Sequence, residues 1–269
     1  MRVPIRRALR SDCVIDSEVH SAVRRRCAWH FAAGVGAVVL ALCLAACEST
    51  PPSEARPASS QGDSTWQRFV LPTKRETHYV HRTIDGRPVI QADADNSVSL
   101  YRRWMRIEPV NLGRLSFSWM VPKLIAAADL SLQSAEDAPV RVVLAFEGDR
   151  SKLSIKNRML FDLMEAVIGE EPPYATLMYV WDNRAPIESV IKAGRTDRIR
   201  KIVVDSGPAH TSVWRFHERD IVDDYRRAFG EEPGPLISVA LMTDSDNTHT
   251  AVRAYYGELK FTGPESAVR

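Results

Sequence analysis

Arg114-Leu115-Ser116-Phe117-Ser118-Trp119-Met120-Val121 is the stretch on which the fold class turns. Leu115, Phe117, Trp119 and Val121 alternate with Ser116, Ser118 and Met120, and side chains two apart in an extended chain share one face. The segment therefore reads as a strand with one buried face and one mostly polar face. The same character recurs on both sides of it. Tyr79 to Thr83 and Pro88 to Ala92 flank Asp85-Gly86, a pair suited to a two-residue hairpin turn. Ser97 to Ile107 is a further extended run, and Val140 to Phe146 is almost continuously apolar, as a central strand should be. Ala175 to Trp181, Arg200 to Asp205, Leu236 to Thr243 and Val252 to Phe261 bring the set to about nine strands with turn signals between them, the pattern of a sandwich or barrel.

Two helices interrupt the strands. Ile155, Met159, Leu160, Leu163, Met164, Val167 and Ile168 recur at helical spacing, with Gly169 as a stop. Glu218 to Phe229 reads as the second, with Ile221, Val222, Tyr225 and Phe229 on one face and Gly230 at the C-terminal cap. The expected fold is β-dominated: a two-sheet sandwich over residues 66–262 carrying two inserted helices, followed by a tail at 263–269.

The N-terminus has a different logic. Arg24, Arg25 and Arg26 precede an apolar run of 16 residues from Phe31 to Ala46, which ends Leu44-Ala45-Ala46-Cys47. Positive, apolar and small-residue regions in that order describe an export signal. The run is shorter than the roughly 20 residues that cross a bilayer. A cysteine at the cleavage point resembles the bacterial lipobox, which implies that residues 1–46 are removed and that Cys47 is lipidated. Asp12, Asp16 and Glu18 make the stretch before the signal core long, leaving open a start downstream, near Val23. Residues 47–65 are rich in Ser, Pro, Ala and charge and read as a disordered tether. With Glu48 rather than Asp after the cysteine, the expected address is the periplasmic face of the outer membrane.

Composition narrows the function. The 36 Lys and Arg against 34 Asp and Glu give the whole chain a formal charge of +2. Removing the seven Arg and three acidic residues of 1–46 leaves 29 basic against 31 acidic groups, near −2. A domain so close to neutral lacks the basic face that nucleic acid requires. All four cysteines (Cys13, Cys27, Cys43 and Cys47) lie in the leader or at its end, so the mature fold has no disulfide, thiol nucleophile or Cys-ligated metal.

Motifs with chemistry are few. Thr243-Asp244-Ser245-Asp246-Asn247-Thr248 is the densest polar cluster, and oxygens from Asp244, Asp246 and Asn247 would suit a hard cation such as calcium. The glycine and distal glutamate of an EF-hand loop are absent, and such residues also build ordinary turns. Glu136-Asp137, before the central strand, is a second acidic candidate for the same ion, and Asp182-Asn183 after Trp181 is a third acidic cluster at a strand end. Trp181, Asp182 and Trp214 are candidate ligand-binding residues. His78, His81, His210, His217 and His249 form no zinc signature, and no nucleophile elbow, phosphate loop or dinucleotide fingerprint is present.

Trp66, the Tyr79 to Gly86 hairpin, Ser116-Phe117-Ser118-Trp119, Glu136 to Val142, Tyr179-Val180-Trp181, Trp214, Asp220 to Tyr225, Phe229-Gly230 and Thr243 to Thr248 stand together in one order. This set resembles an uncharacterised bacterial envelope family catalogued as domain of unknown function 3047, from Trp66 to Phe261. The resemblance implies a galactose-binding-like jelly roll in an exported protein. It confers no activity. That family often has paired aspartates where this chain has Glu136-Asp137, which weakens a metal role there.

The resulting expectation is a lipid-anchored, non-catalytic binding module for an envelope glycan or another envelope ligand. Two rival classes stay open. One is a glycan hydrolase using two carboxylates drawn from Glu136, Asp137, Asp182, Asp244 and Asp246. The other is a scaffold that binds an envelope protein through the second helix or a sheet edge.

Overall fold

The structure is a computed structural model and describes residues 65–264. The leader, Cys47 and nearly all of the expected tether lie outside the described residues, as does the tail beyond residue 264. In chain order the described elements are β1 (Gln67–Val70), β2 (His78–Ile84), β3 (Arg87–Asp95), β4 (Val98–Ile107), β5 (Arg114–Met120), β6 (Ala138–Phe146) and α1 (Ile155–Ile168). There follow β7 (Ala175–Asp182), β8 (Val190–Lys192), β9 (Ile199–Ser206), β10 (Arg215–Asp220), α2 (Ile221–Phe229), β11 (Leu236–Asp244), β12 (Ala251–Tyr256) and β13 (Lys260–Thr262).

The strands form a two-sheet jelly-roll sandwich. One sheet has the order β1-β4-β11-β6-β7-β9-β8, and the other β10-β5-β12-β3-β2 with β13 also paired to β5. Pairing is antiparallel except between β7 and β9. The alternation in β5 is realised: Leu115, Phe117 and Trp119 point inward and are buried. They meet Val142, Leu144, Phe146, Leu177, Tyr179 and Ile202 of the facing sheet in the main core. Burial of side chains this large supplies the main driving force for folding. The β2–β3 turn uses Asp85 and Gly86 with φ of 50° and 76°, the doubly positive geometry that the pair was expected to supply. All described elements belong to one compact unit.

Polar ends of aromatic side chains tie the sheets together across this interior. Tyr79, on β2, places its hydroxyl 2.9 Å from the Ser99 carbonyl and accepts from the Thr243 N–H at 3.2 Å. Tyr256, on β12, donates to the Met242 carbonyl at 2.8 Å and accepts from the Arg141 N–H at 3.2 Å. Both satisfy backbone groups at the register shift between Met242 and Asp244, where the β6–β11 ladder is interrupted. The third tie is Asp205, on β9. Its carboxylate accepts from Trp119 Nε1 at 2.7 Å and from Arg215 Nε and His217 Nε2 at 2.8 Å each. Burial works to raise the Asp205 pKa, but the hydrogen bonds from His217 and Trp119, with Arg215, outweigh it and hold the group below the usual carboxylate range.

Two short strands, β1 and β8, are additional to the sequence reading, and four further elements depart from it. The second helix begins at Ile221, not Glu218, because Asp220 is its N-cap and accepts from the Asp223 N–H at 3.0 Å. Residues 215–220 are instead β10, antiparallel to β5. The final strand is two strands, broken at Gly257, where any Cβ would lie 2.2 Å from Ser118 Oγ. In α1, Phe161 is buried and Leu160, Met164 and Ile168 are partly so, but Ile155, Met159, Leu163 and Val167 stay exposed. Its apolar arc is wider than the surface it covers.

Removing the Asp205 carboxylate would leave the Trp119 and His217 donors facing a largely dry interior and Arg215 without its partner. Asp205→Ala should cost about 3 kcal/mol, the lower end of the range for breaking a buried pair because Arg215 can reach water. Urea unfolding would measure it; a loss below half of that would show that the sheets do not depend on this tie.

Candidate functional site

Alternation along β10 sends its side chains two ways. Arg215, His217 and Arg219 stand opposite Trp119, Phe117 and Leu115 of β5 and point toward the facing sheet, while Phe216 and Glu218 stand opposite Ser118 and Ser116 and point outward. Trp214 sits just before the strand and is half-buried; Phe216 is 64% exposed. Behind them the outer face of the second sheet is indented. The cleft has a volume of about 540 Å³ and is lined by Trp214, Phe216, Ser116, Ser118, Glu218 and Lys260, with Arg87 to Val89 and Glu258 on the far wall. The Arg87 guanidinium lies 5.4 Å from the Phe216 ring centroid. Glu218 accepts from Arg114 at 2.7 Å, which leaves the cleft with both charge signs and two hydroxyls beside aromatic faces.

Gly257 shapes the floor. Its N–H donates to the Ser118 carbonyl at 2.8 Å, and the missing side chain is what allows that approach. An open, partly aromatic concavity with a few convergent polar groups is the ordinary form of a small-ligand site.

The acidic candidates gather elsewhere, at the ends of β6 and β11. Carboxylate oxygens of Asp137, Asp244 and Asp246 fall within 4.8 Å of one another. Each one is already engaged by the protein. Asp244 accepts from Arg141 at 2.8 and 3.0 Å and from the Ala138 N–H at 2.6 Å. Asp137 accepts from the N–H groups of Asn247 and Thr248 at 3.1 and 2.7 Å and from the Thr248 hydroxyl at 2.6 Å. Asp246 pairs with Lys74. Glu136 turns away from these three to Lys201, 2.6 Å from its Nζ, and Asn247 gives its side-chain amide to the Gln133 carbonyl. Lys201 is fully buried, and burial, with the nearby Arg141, pulls its pKa down against Glu136.

A calcium ion requires six to eight free oxygens. Here three cations, Lys74, Arg141 and Lys201, face four carboxylates, and backbone amides occupy Asp137. The donor set forms an internal ion-pair network that fastens the Ser245–Thr250 turn, and a cation at this place would have to displace Arg141 or Lys74 from it. Asp182 is likewise used locally, accepting from the Arg184 and Ala185 N–H groups at 2.7 and 2.6 Å. Trp181 is buried in the core and donates its indole N–H to the Gly207 carbonyl at 3.0 Å, so it offers no face to a ligand. Of the three ligand-binding candidates only Trp214 lines the cleft. Phe216 went unnoticed, although Trp214 and Phe216 are two apart and an extended reading of 214–220 would have placed them together.

The family model described as Protein of unknown function (DUF3047) matches residues 64–260. The chain belongs to this family. No curated protein matches this DUF3047 member. Similar solved structures include one described as "CBM4 structure and function", at 10% identity and a TM-score of 0.35, covering 76% of this chain and 90% of that one. Another is the xyloglucanase domain of NopAA, a type three effector from Sinorhizobium fredii, in complex with cellobiose, at 11% identity and 0.39, covering 74% and 92%.

Two predictions separate the network from a metal site. Asp244→Ala leaves the Arg141 charge buried and unpaired and should cost about 3–5 kcal/mol, whereas Asp246→Ala should cost about 1 kcal/mol or less because Lys74 is exposed to water. Thermal melts with calcium and with a chelator should superimpose; a calcium-dependent rise in midpoint would show a cation displacing Arg141 or Lys74.

The second concerns pH. Burial pushes the Asp244 carboxyl up to about 6 from 3.8, with Arg141 and the Ala138 N–H pulling the other way. The folded chain thus holds this proton more tightly than the unfolded one. Its stabilising contribution is present below about 3.8 and lost as pH rises through 6. Between these values the unfolding free energy should fall with pH more steeply in the parent than in Asp244→Asn; parallel profiles would exclude Asp244 as the titrating group.

Proposed function

We propose that the protein is a lipid-anchored envelope module that holds a glycan in the cleft on the outer face of the second sheet and performs no catalysis. The observation that carries this reading is the pair Trp214 and Phe216 on the cleft wall beside Ser116, Ser118, Arg87 and Glu218. A sugar ring presents C–H groups on its faces and hydroxyls around its rim. Aromatic side chains satisfy the first, and short hydroxyls and charged groups satisfy the second. The five carboxylates considered for hydrolysis do not line this cleft. Four belong to the ion-pair network and the fifth, Asp182, caps a turn, so each is committed to a structural partner. The anchor belongs to the proposal through Leu44-Ala45-Ala46-Cys47, which would place the module on the periplasmic face of the outer membrane.

Affinity electrophoresis through gels containing soluble envelope and plant polysaccharides tests the site. At least one polysaccharide should retard the protein. Trp214→Ala and Phe216→Ala should each weaken retardation tenfold or more, about 1.4 kcal/mol, with unchanged melting curves. Retardation unaffected by both substitutions would remove the cleft as the site. Reducing-sugar release in the same panel would remove the non-catalytic reading.

A further inference from the structure

We infer that the exposed apolar arc of α1 is a membrane-contact surface that lies in the headgroup region of the bilayer to which the chain is tethered. Ile155, Met159, Leu163 and Val167 follow one another at intervals of four residues and are 59–70% exposed, so together they form one continuous stripe along the helix. The opposite side of the helix is already used, with Phe161 in the main core and Asn157 buried. A contiguous exposed apolar stripe of this length, unlike single exposed apolar residues, marks an interaction site.

Two further observations identify the occupant. The first is position. Gln67, at the start of β1, pairs with Arg102 on β4, and Arg102 donates in bidentate fashion to Glu170 at 2.9 and 3.1 Å, two residues beyond the end of α1. The chain thus enters the domain beside α1. Cys47 precedes Thr65 by 18 residues, no more than roughly 60 Å even at full extension, so an acylated Cys47 would hold this side of the domain close to the bilayer. The second is charge. Lys152 and Lys156 are exposed at the N-terminal end of the stripe, and Lys156 falls within its arc. Long cationic side chains beside an apolar stripe reach lipid phosphates while their stems lie along the hydrocarbon boundary. Among the described residues no helix is long and apolar enough to cross a membrane, so this contact is interfacial.

The chain from Glu48 onward contains no cysteine, and a single one introduced as Leu163→Cys can carry a polarity-sensitive fluorophore. An N-terminal hexahistidine tag held on phosphatidylcholine/phosphatidylglycerol vesicles with a nickel-chelating lipid reproduces the tether without relying on acylation of Cys47. The label at 163 should shift to the blue and be quenched by a nitroxide lipid, while the same label at Val213→Cys, on the cleft side, should do neither. Without the tag, Lys156→Glu with Met159→Glu should lower vesicle binding at least tenfold and leave the melting curve unchanged. A label at 163 that stays water-like on the vesicle overturns the proposal. So does a dimer in sedimentation that the same double substitution abolishes, since the arc would then belong to a second copy.

Discussion

Asp205 occupies the position on which the geometry of the sandwich and of its cleft converge. It belongs to one sheet and takes all three of its side-chain donors from the other: the indole of Trp119, the guanidinium of Arg215 and the imidazole of His217. Burying a carboxylate is costly, and only a full complement of donors offsets that cost. Two of the three donors come from β10, an edge strand whose sheet partner is β5 alone. An edge ladder by itself fixes such a strand weakly. The inward hydrogen bonds of Arg215 and His217 fix the rotation of β10 about its own axis, and with a period of two that rotation dictates where Phe216 and Glu218 point. The wall of the cleft is therefore set from the inside of the protein.

The same physics, applied at the other end of the strands, gives an opposite outcome. Asp137, Asp244 and Asp246 approach one another as closely as metal ligands do, yet the chain brings its own cations and amides to them. What distinguishes a ligand site from a structural cluster is the origin of the donors. At Asp244 the guanidinium comes from Arg141, one strand away, and both side chains are almost completely buried. Around Trp214 and Phe216, among the described residues, a concavity stays open, and Glu218 with its partner Arg114 is exposed there.

Most of the sandwich is legible in the sequence because its core strands follow the simple rule of apolar residues inward. Leu115-Phe117-Trp119 and Val140 to Phe146 state their burial outright. β10 breaks that rule: its inward residues are Arg215, His217 and Arg219, and its one large apolar residue, Phe216, points outward. Hydrophobic periodicity reads such a strand backwards, and helix-compatible Glu218-Arg219 then extends the apparent helix across the cap at Asp220. α1 misleads in the other direction, since seven apolar positions suggest one buried face where there are two, only one of them covered. The acidic cluster was visible as a cluster but not as a closed one, because the cation that pairs with each carboxylate (Lys74 with Asp246, Arg141 with Asp244, Lys201 with Glu136) is distant from it in sequence and meets it only in the folded sandwich. The brief β1 and β8 carry too few residues for any period to show.

The two surfaces left unsatisfied by the fold are related through its topology. β1, where the chain enters, is the edge of the first sheet, and α1 lies beside that entry through Arg102 and Glu170. The cleft belongs to the second sheet, opening among the outward residues of β10 and β5 and reaching Phe117 and His217 at its base. A domain held by its N-terminus and resting α1 on a bilayer would therefore turn β10 and β5 away from the lipid, leaving Trp214 and Phe216 free to meet a polymer on the opposite side. Had the cleft formed on the outer face of the first sheet, α1 and the tether would compete with any ligand for the same space.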